Sequence, residues 1–182
     1  MPQTASRPLN VLVVDDEPDV RDLLVEYFRD RGHTVTAFSD GRTTVQEIEQ
    51  NPSRYTLIVS DLQLPGVDGL GVLKAARAAN PSVVVIIVTG YASLDSAVQA
   101  VRLGAYDYLT KPFSLGQIDV IVQRVFERQA LEAENRHLAR KVGIREVPEP
   151  RGIAIDRLDA IDARLARIEE LLGRILGARP RL

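Results

Sequence analysis

The chain has 182 residues, 45% hydrophobic and 26% charged, with a formal net charge of −2; that suits one domain with a hydrophobic core plus a smaller element, and so neutral a balance points to no nucleic-acid partner. It has no cysteine and two histidines, His33 and His137, which excludes disulfides and thiol chemistry and leaves too few imidazoles for a histidine-based metal site. The longest apolar run, Val83–Val88, is too short to cross a bilayer, and the opening MPQTASRPLN has no apolar stretch of the signal-peptide kind, so we expect a cytoplasmic protein with no membrane partner and a flexible segment over 1–8.

In chain order, Asn10–Val14 predicts a buried strand that runs into Asp15 and Asp16. Pro18 suits a first helical turn, Val20, Leu23, Leu24, Tyr27 and Phe28 recur at helical spacing, and Gly32 ends that helix. A strand is predicted over Thr34–Phe38, a helix over Arg42–Gln50, and a third strand over Tyr55–Ser60 that closes on Asp61. Pro65, Gly66 and Gly69 mark a loop before a helix near Leu70–Ala79. A fourth strand is expected at Val83–Thr89, a helix at Leu94–Leu103, a short fifth strand at Ala105–Leu109, and a last domain helix from Ser114. In that helix Ile118, Ile121, Val122, Val125 and Phe126 form an apolar stripe.

Buried strands alternating with helices argue for an α/β fold, a parallel sheet covered on both faces and doubly wound. In such sheets ligands bind outside the carboxyl ends of the strands. Asp15, Asp16, Asp61, Thr89 and Lys111 all stand at those ends and converge on one edge. Clustered carboxylates repel unless a cation joins them, and few carboxylates with room for water and phosphate oxygens suit a hard divalent ion such as Mg²⁺. An aspartate beside that ion can attack a phosphoryl group and form an acyl phosphate. Lys111 supplies a fixed positive charge for the incoming dianion and Thr89 a short hydroxyl donor, with Gly90 leaving space beside it. Taken singly, the acids Asp15, Asp16 and Glu17 serve equally well as helix caps, and Lys111 as a solvated charge.

The elements VVDDEP (Val13–Pro18), SDLQLPGVDG (Ser60–Gly69), VTGY (Val88–Tyr91) and GAYDYLTKPF (Gly104–Phe113) together resemble the receiver domain of bacterial response regulators, the last two most like its nitrogen-regulation class. The resemblance runs from about Leu9 to Val125, with the receiver domain expected over 9–127, and implies a flavodoxin-like, five-stranded parallel sheet of order 2-1-3-4-5. It implies that Asp61 is the phosphoacceptor, that Thr89 and Tyr108 are a switch pair, and that Lys111 binds the phosphoryl group. It also implies Mg²⁺ held by Asp15, Asp16, Asp61 and the backbone carbonyl of Gln63, a cis Lys111–Pro112 bond, and phosphate supplied by a sensor histidine kinase or a histidine phosphotransfer protein. A switch of this kind is not an enzyme.

Beyond the domain, Leu131, Asn135, Leu138 and Val142 continue a helical seam over 128–142, and Gly143, Pro148, Pro150 and Gly152 mark a linker over 143–152. Over 153–178, Leu158, Ile161, Leu165, Ile168, Leu172 and Ile175 form an a/d heptad seam with leucine at a and isoleucine at d, a choice that favours assemblies above the dimer, tetramers in particular. Arg157 and Arg164 at g meet Asp162 and Glu169 at e in a parallel coil. Fold-back onto the receiver and a partner's coil are the competing readings of that face. No nucleotide motif or basic stripe follows Phe126, so the expected output is a contact with an unidentified downstream protein. A phosphorelay intermediate or phosphate sink is the alternative. A DNA-binding regulator, and an aspartate-dependent phosphatase with its nucleophile after the first strand, fit less well.

Overall fold

The strands owe their positions to runs of β-branched residues and the helices to apolar spacings of three and four. In the computed structural model, which describes residues 8–141, they appear as β1 (Asn10–Val14), α1 (Pro18–Asp30), β2 (Thr34–Phe38), α2 (Gly41–Gln50), β3 (Leu57–Asp61), α3 (Gly69–Ala79), β4 (Val84–Thr89), α4 (Leu94–Leu103), β5 (Asp107–Thr110) and α5 (Leu115–Lys141). The five strands form one parallel sheet in the order β2-β1-β3-β4-β5, the doubly wound, flavodoxin-like receiver order. The described residues divide into two units, one ending at Phe113 and the other beginning at Ser114.

Within the first unit, β3 and β4 are buried along their whole length. Their alternate residues serve two faces. Leu12, Val14, Ile58, Val85 and Ile87 cluster with Ile48, Val72, Leu73, Ala76, Ala97 and Ala100, which joins the sheet to α2, α3 and α4. The intervening residues Val11, Val13, Leu57, Val59, Val84, Ile86 and Val88 are buried as well, which is why these strands read as continuous apolar runs. Leu24, Tyr27 and Phe28 are the buried residues of α1, which packs on β1 and β2.

Several expectations shift. β2 is an edge strand, exposed at Thr34 and Ala37 and half-buried elsewhere, because one of its sides has no neighbour among the described strands. Leu23 is 46% exposed; it lies one helical step, about 100°, from Leu24 and so leaves the buried stripe. β3 begins later than predicted and includes Asp61, whose partner is Val88, because the ladder continues through Leu62 N–H donating to the Val88 carbonyl at 3.2 Å. β5 also starts later, at Asp107. Ala105 cannot join it because its N–H donates to the Ala100 carbonyl in the C-terminal cap of α4, which turns on Gly104 at φ +91°.

The second unit contains α5, one unbroken helix from Leu115 to Lys141. Ile118, Ile121, Val122 and Val125 are buried and Phe126 is half-buried. The segment expected to be flexible lies outside the described residues over 1–7, as do the linker over 143–152 and the heptad helix over 153–178 with Leu158, Ile161, Leu165, Ile168, Leu172 and Ile175. No described helix is long and apolar enough to cross a membrane.

Candidate functional site

Parallel strands bring their carboxyl ends to one edge, and there the loops after β1, β3, β4 and β5 meet. Asp15 follows β1 and extends its ladder, its N–H donating to the Phe38 carbonyl at 3.2 Å. Two bonds fix this corner: Glu17 N–H donates to Asp15 Oδ1 at 3.0 Å, and Arg21 Nη1 donates to the Asp15 carbonyl at 2.9 Å. Asp61 is held in the same way, with Gln63 N–H donating to its Oδ1 at 3.0 Å. The helix after it starts hard against its backbone. A Cβ on Gly69 would overlap the Asp61 carbonyl oxygen and come within 2.8 Å of Leu62 Cα, so only glycine lets α3 begin there.

Asp15, Asp16 and Asp61 each offer a carboxylate oxygen, and the three atoms lie within 4.8 Å of one another. Asp15 and Asp61 are buried and Asp16 is exposed, so the cluster has an inner wall and a side open to water. Hard oxygen donors converging in this manner fit a hard divalent cation that keeps some of its waters, Mg²⁺ among them. Gln63 stands on the same loop, two residues beyond Asp61, and is exposed.

Lys111 reaches the cluster from the turn after β5, where its N–H donates to the Thr89 carbonyl at 2.8 Å. Its Nζ donates to Glu17 Oε1 at 2.6 Å, to Asp61 Oδ2 at 2.7 Å and to Asp15, whose Oδ2 lies at 3.0 Å. Burial lowers the ammonium's pKa, but the bonds to Asp61, Glu17 and Asp15 outweigh it and leave the pKa above the ordinary lysine value. Burial pushes the Asp15 carboxyl above the usual carboxylate range; the bonds from Lys111 and the Glu17 backbone oppose the rise and the charge of Asp61 adds to it. The Lys111–Pro112 peptide is cis.

Thr89 is fully buried at the end of β4, and its Oγ1 accepts from Tyr91 N–H at 3.1 Å. A Cβ on the following Gly90 would meet nothing within 4 Å. Tyr108, opposite Ile87 in the ladder, is 1% exposed. Its hydroxyl pairs with Ser96 Oγ at 2.8 Å, and burial pushes its phenol pKa up. Ser96 belongs to the capping box of α4 with Ser93, so Tyr108 is tied to a helix end rather than bonded to the acids.

Three partners escape a reading of the sequence alone. Glu17 is the N-cap residue of α1 but its side chain makes no cap bond; it goes to Lys111 instead, which corrects the helix-cap reading for this acid. Ser96 and Arg21 are ordinary polar helix residues until the fold sets them against Tyr108 and Asp15. The adjacency of Glu17 to Asp15 and Asp16 was the one available signal.

The chain is similar in sequence and fold to known proteins. The family described as response regulator receiver domain matches residues 11–123. The chain belongs to that family. This receiver is 36% identical over 129 residues to the regulatory protein AtoC of Escherichia coli K12, covering 70% of this chain and 27% of AtoC. It is 33% identical over 128 residues to the DNA-binding transcriptional regulator NtrC of the same organism, covering 70% of this chain and 27% of NtrC. It thus spans little more than a quarter of the length of these curated relatives. Among solved structures, the beryllofluoride-activated NtrC4 receiver domain dimer matches with a TM-score of 0.60 and 32% identity, covering 65% of this chain and 97% of that one.

Proposed function

We propose that this receiver is a phosphorylation-dependent signalling switch whose Asp61 takes a phosphoryl group from a phosphohistidine on a sensor kinase or on a histidine phosphotransfer protein. The observation that carries the reading is the Lys111 ammonium, set against Asp61 at 2.7 Å beside three carboxylates that converge within 4.8 Å. In the step, a carboxylate oxygen of Asp61 forms a bond to phosphorus as the donor's P–N bond breaks, and the imidazole leaves with the electron pair. Lys111 holds the phosphoryl oxygens, Thr89 donates its hydroxyl to one of them, and Gly90 leaves the approach clear. Asp15, Asp16, Asp61 and the backbone carbonyl of Gln63 would hold Mg²⁺, which would supply the positive charge that offsets the phosphoryl group. Tyr108 reports the change through Ser96 to the start of α4.

The signal leaves through protein contacts in this reading. Residues 9–127 act as the receiver, 128–142 as a helical extension, 143–152 as a linker, and 153–178 as a coil that makes the protein oligomeric, a tetramer by its leucine and isoleucine choice. The likeness to the NtrC4 receiver, which is dimeric by its description, supports an assembly step. A second reading is output through DNA, favoured by the relative NtrC, which is named as DNA-binding; retention on duplex DNA at low salt would carry it over the protein-contact reading.

Intact-mass spectrometry tests the switch. With Mg²⁺ and a small phosphodonor, wild type should gain one phosphoryl group and Asp61→Asn none. Equal gain by both, or no gain by wild type, overturns the proposal.

A further inference from the structure

We propose that Glu17 is a positioning residue that restrains Lys111 and guards the open side of the acidic site, so that it sets how fast an anionic phosphodonor charges Asp61. The inference rests on the phosphorylation reading above and adds to it a residue with no role there.

Glu17 occupies the N-cap of α1 with extended backbone, φ −76° and ψ 112°. A short side chain there closes on the helix's free N–H groups. The Glu17 side chain makes no such bond, and its carboxylate lies instead 2.6 Å from Lys111 Nζ, across the chain from the turn after β5. An ammonium has three N–H donors. Those of Lys111 face three carboxylates, Glu17, Asp61 and Asp15. A phosphoryl oxygen therefore gains a bond from Lys111 only when one of these acceptors gives way.

Exposure decides which acceptor yields. The side chains of Asp15 and Asp61 are 1% and 6% exposed, whereas that of Glu17 is 60% exposed. Release of a buried carboxylate strands a charge away from water, while release of Glu17 returns it to solvent. Glu17 is thus the labile partner, and the one a phosphoryl group displaces. Its charge also stands on the solvent side of a cluster in which Asp15, Asp16, Glu17 and Asp61 outnumber Lys111. A donor bearing negative charge meets it on the way in.

The test follows charging of the full chain with Mg²⁺ by intact mass against time, using two donors of different charge, dianionic acetyl phosphate and monoanionic phosphoramidate. Glu17→Gln should charge about fivefold faster than wild type with the dianion and about twofold faster with the monoanion, because Coulomb energy scales with donor charge. Both advantages should shrink as salt rises, since an exposed charge is screened. Glu17→Asp keeps the charge on a shorter side chain and should fall between the two. Unchanged or slower charging of Glu17→Gln overturns the inference, as does one equal factor for both donors at every salt concentration, the mark of a merely structural effect. Glu17→Asp as fast as Glu17→Gln also overturns it. If wild type takes phosphate from neither donor, the phosphorylation reading falls and this falls with it; if wild type charges normally, only the Glu17 assignment is at stake.

Discussion

Asp15 shows what the site costs the fold. It is 1% exposed, close to Asp61, and its carboxyl is pushed up in pKa chiefly by burial. A carboxyl whose folded pKa lies above its unfolded value of 3.8 binds its proton more tightly when folded. Its ionised form therefore destabilises the protein at neutral pH, and that penalty is relieved as pH falls through the folded pKa towards the unfolded one. Asp15→Asn should accordingly stabilise the chain at pH 7, by about 0.5–2 kcal/mol, a gain of the kind found when a functional site's strain is removed. Urea denaturation at pH 7 and again near pH 4 checks both parts: the variant leads at pH 7 and the gap closes on acidification. Lys111 has the opposite sign. Its pKa is raised, so its contribution is fully present below the ordinary lysine value and is lost as pH rises through the folded one. Of these residues Asp15, Asp61 and Lys111 were legible as candidates from their places at strand ends. Their mutual bonds were not, because hydrogen bonds spanning 96 and 50 residues leave no local periodicity.

Helix starts do much of the positioning among the elements. α3 begins with Gly69 packed on the Asp61 carbonyl, and its N-cap Asp68 accepts from Gly71 N–H at 2.7 Å. Gly69→Ala places a methyl group where Asp61 and Leu62 already sit. The expected outcome is a loss of about 1–3 kcal/mol, the range for overpacking a tight site, with slower charging of Asp61 because its backbone must shift. Urea denaturation and the mass assay, run side by side, check it; a variant of wild-type stability would show that the α3 start is not constrained. The sequence marks Gly69 only as a turn residue, since its close approach is to backbone brought in by β3. α4 shows the same limit. Ser93 and Ser96 form its capping box, but that Ser96 also meets Tyr108 depends on the β5 register. The borders of β3 and β5 were missed for a related reason: a strand ends where its ladder partners end, not where its apolar run does.

For the whole molecule, the heptad seam from Leu158 to Ile175 makes its own demand. A helix of that length, which the spacing predicts, would be marginal in water on its own and would need a cover for its apolar face. We expect light scattering of the full chain to give a mass above the dimer, and truncation after Gly152 to lower it; a monomeric full chain would defeat the seam as an assembly device. Where such a coil holds several receivers together, one phosphorylation event acts within an assembly rather than on a lone domain, and the contact surface is repeated.

By itself the sequence determined the fold class and the sheet edge on which the candidate residues gather. Hydrophobic period and element alternation are local properties, and right-handed crossovers leave few ways to join parallel strands. The acids, Thr89 and Lys111 then fall at carboxyl ends whatever the details. Only the tertiary structure decided the pairing: β5 beside β4 brings Lys111 between Asp15, Asp61 and Glu17, and it seats Tyr108 on Ser96. Side-chain partners across a sheet edge depend on strand order, register and loop path together, and no window of sequence contains all three.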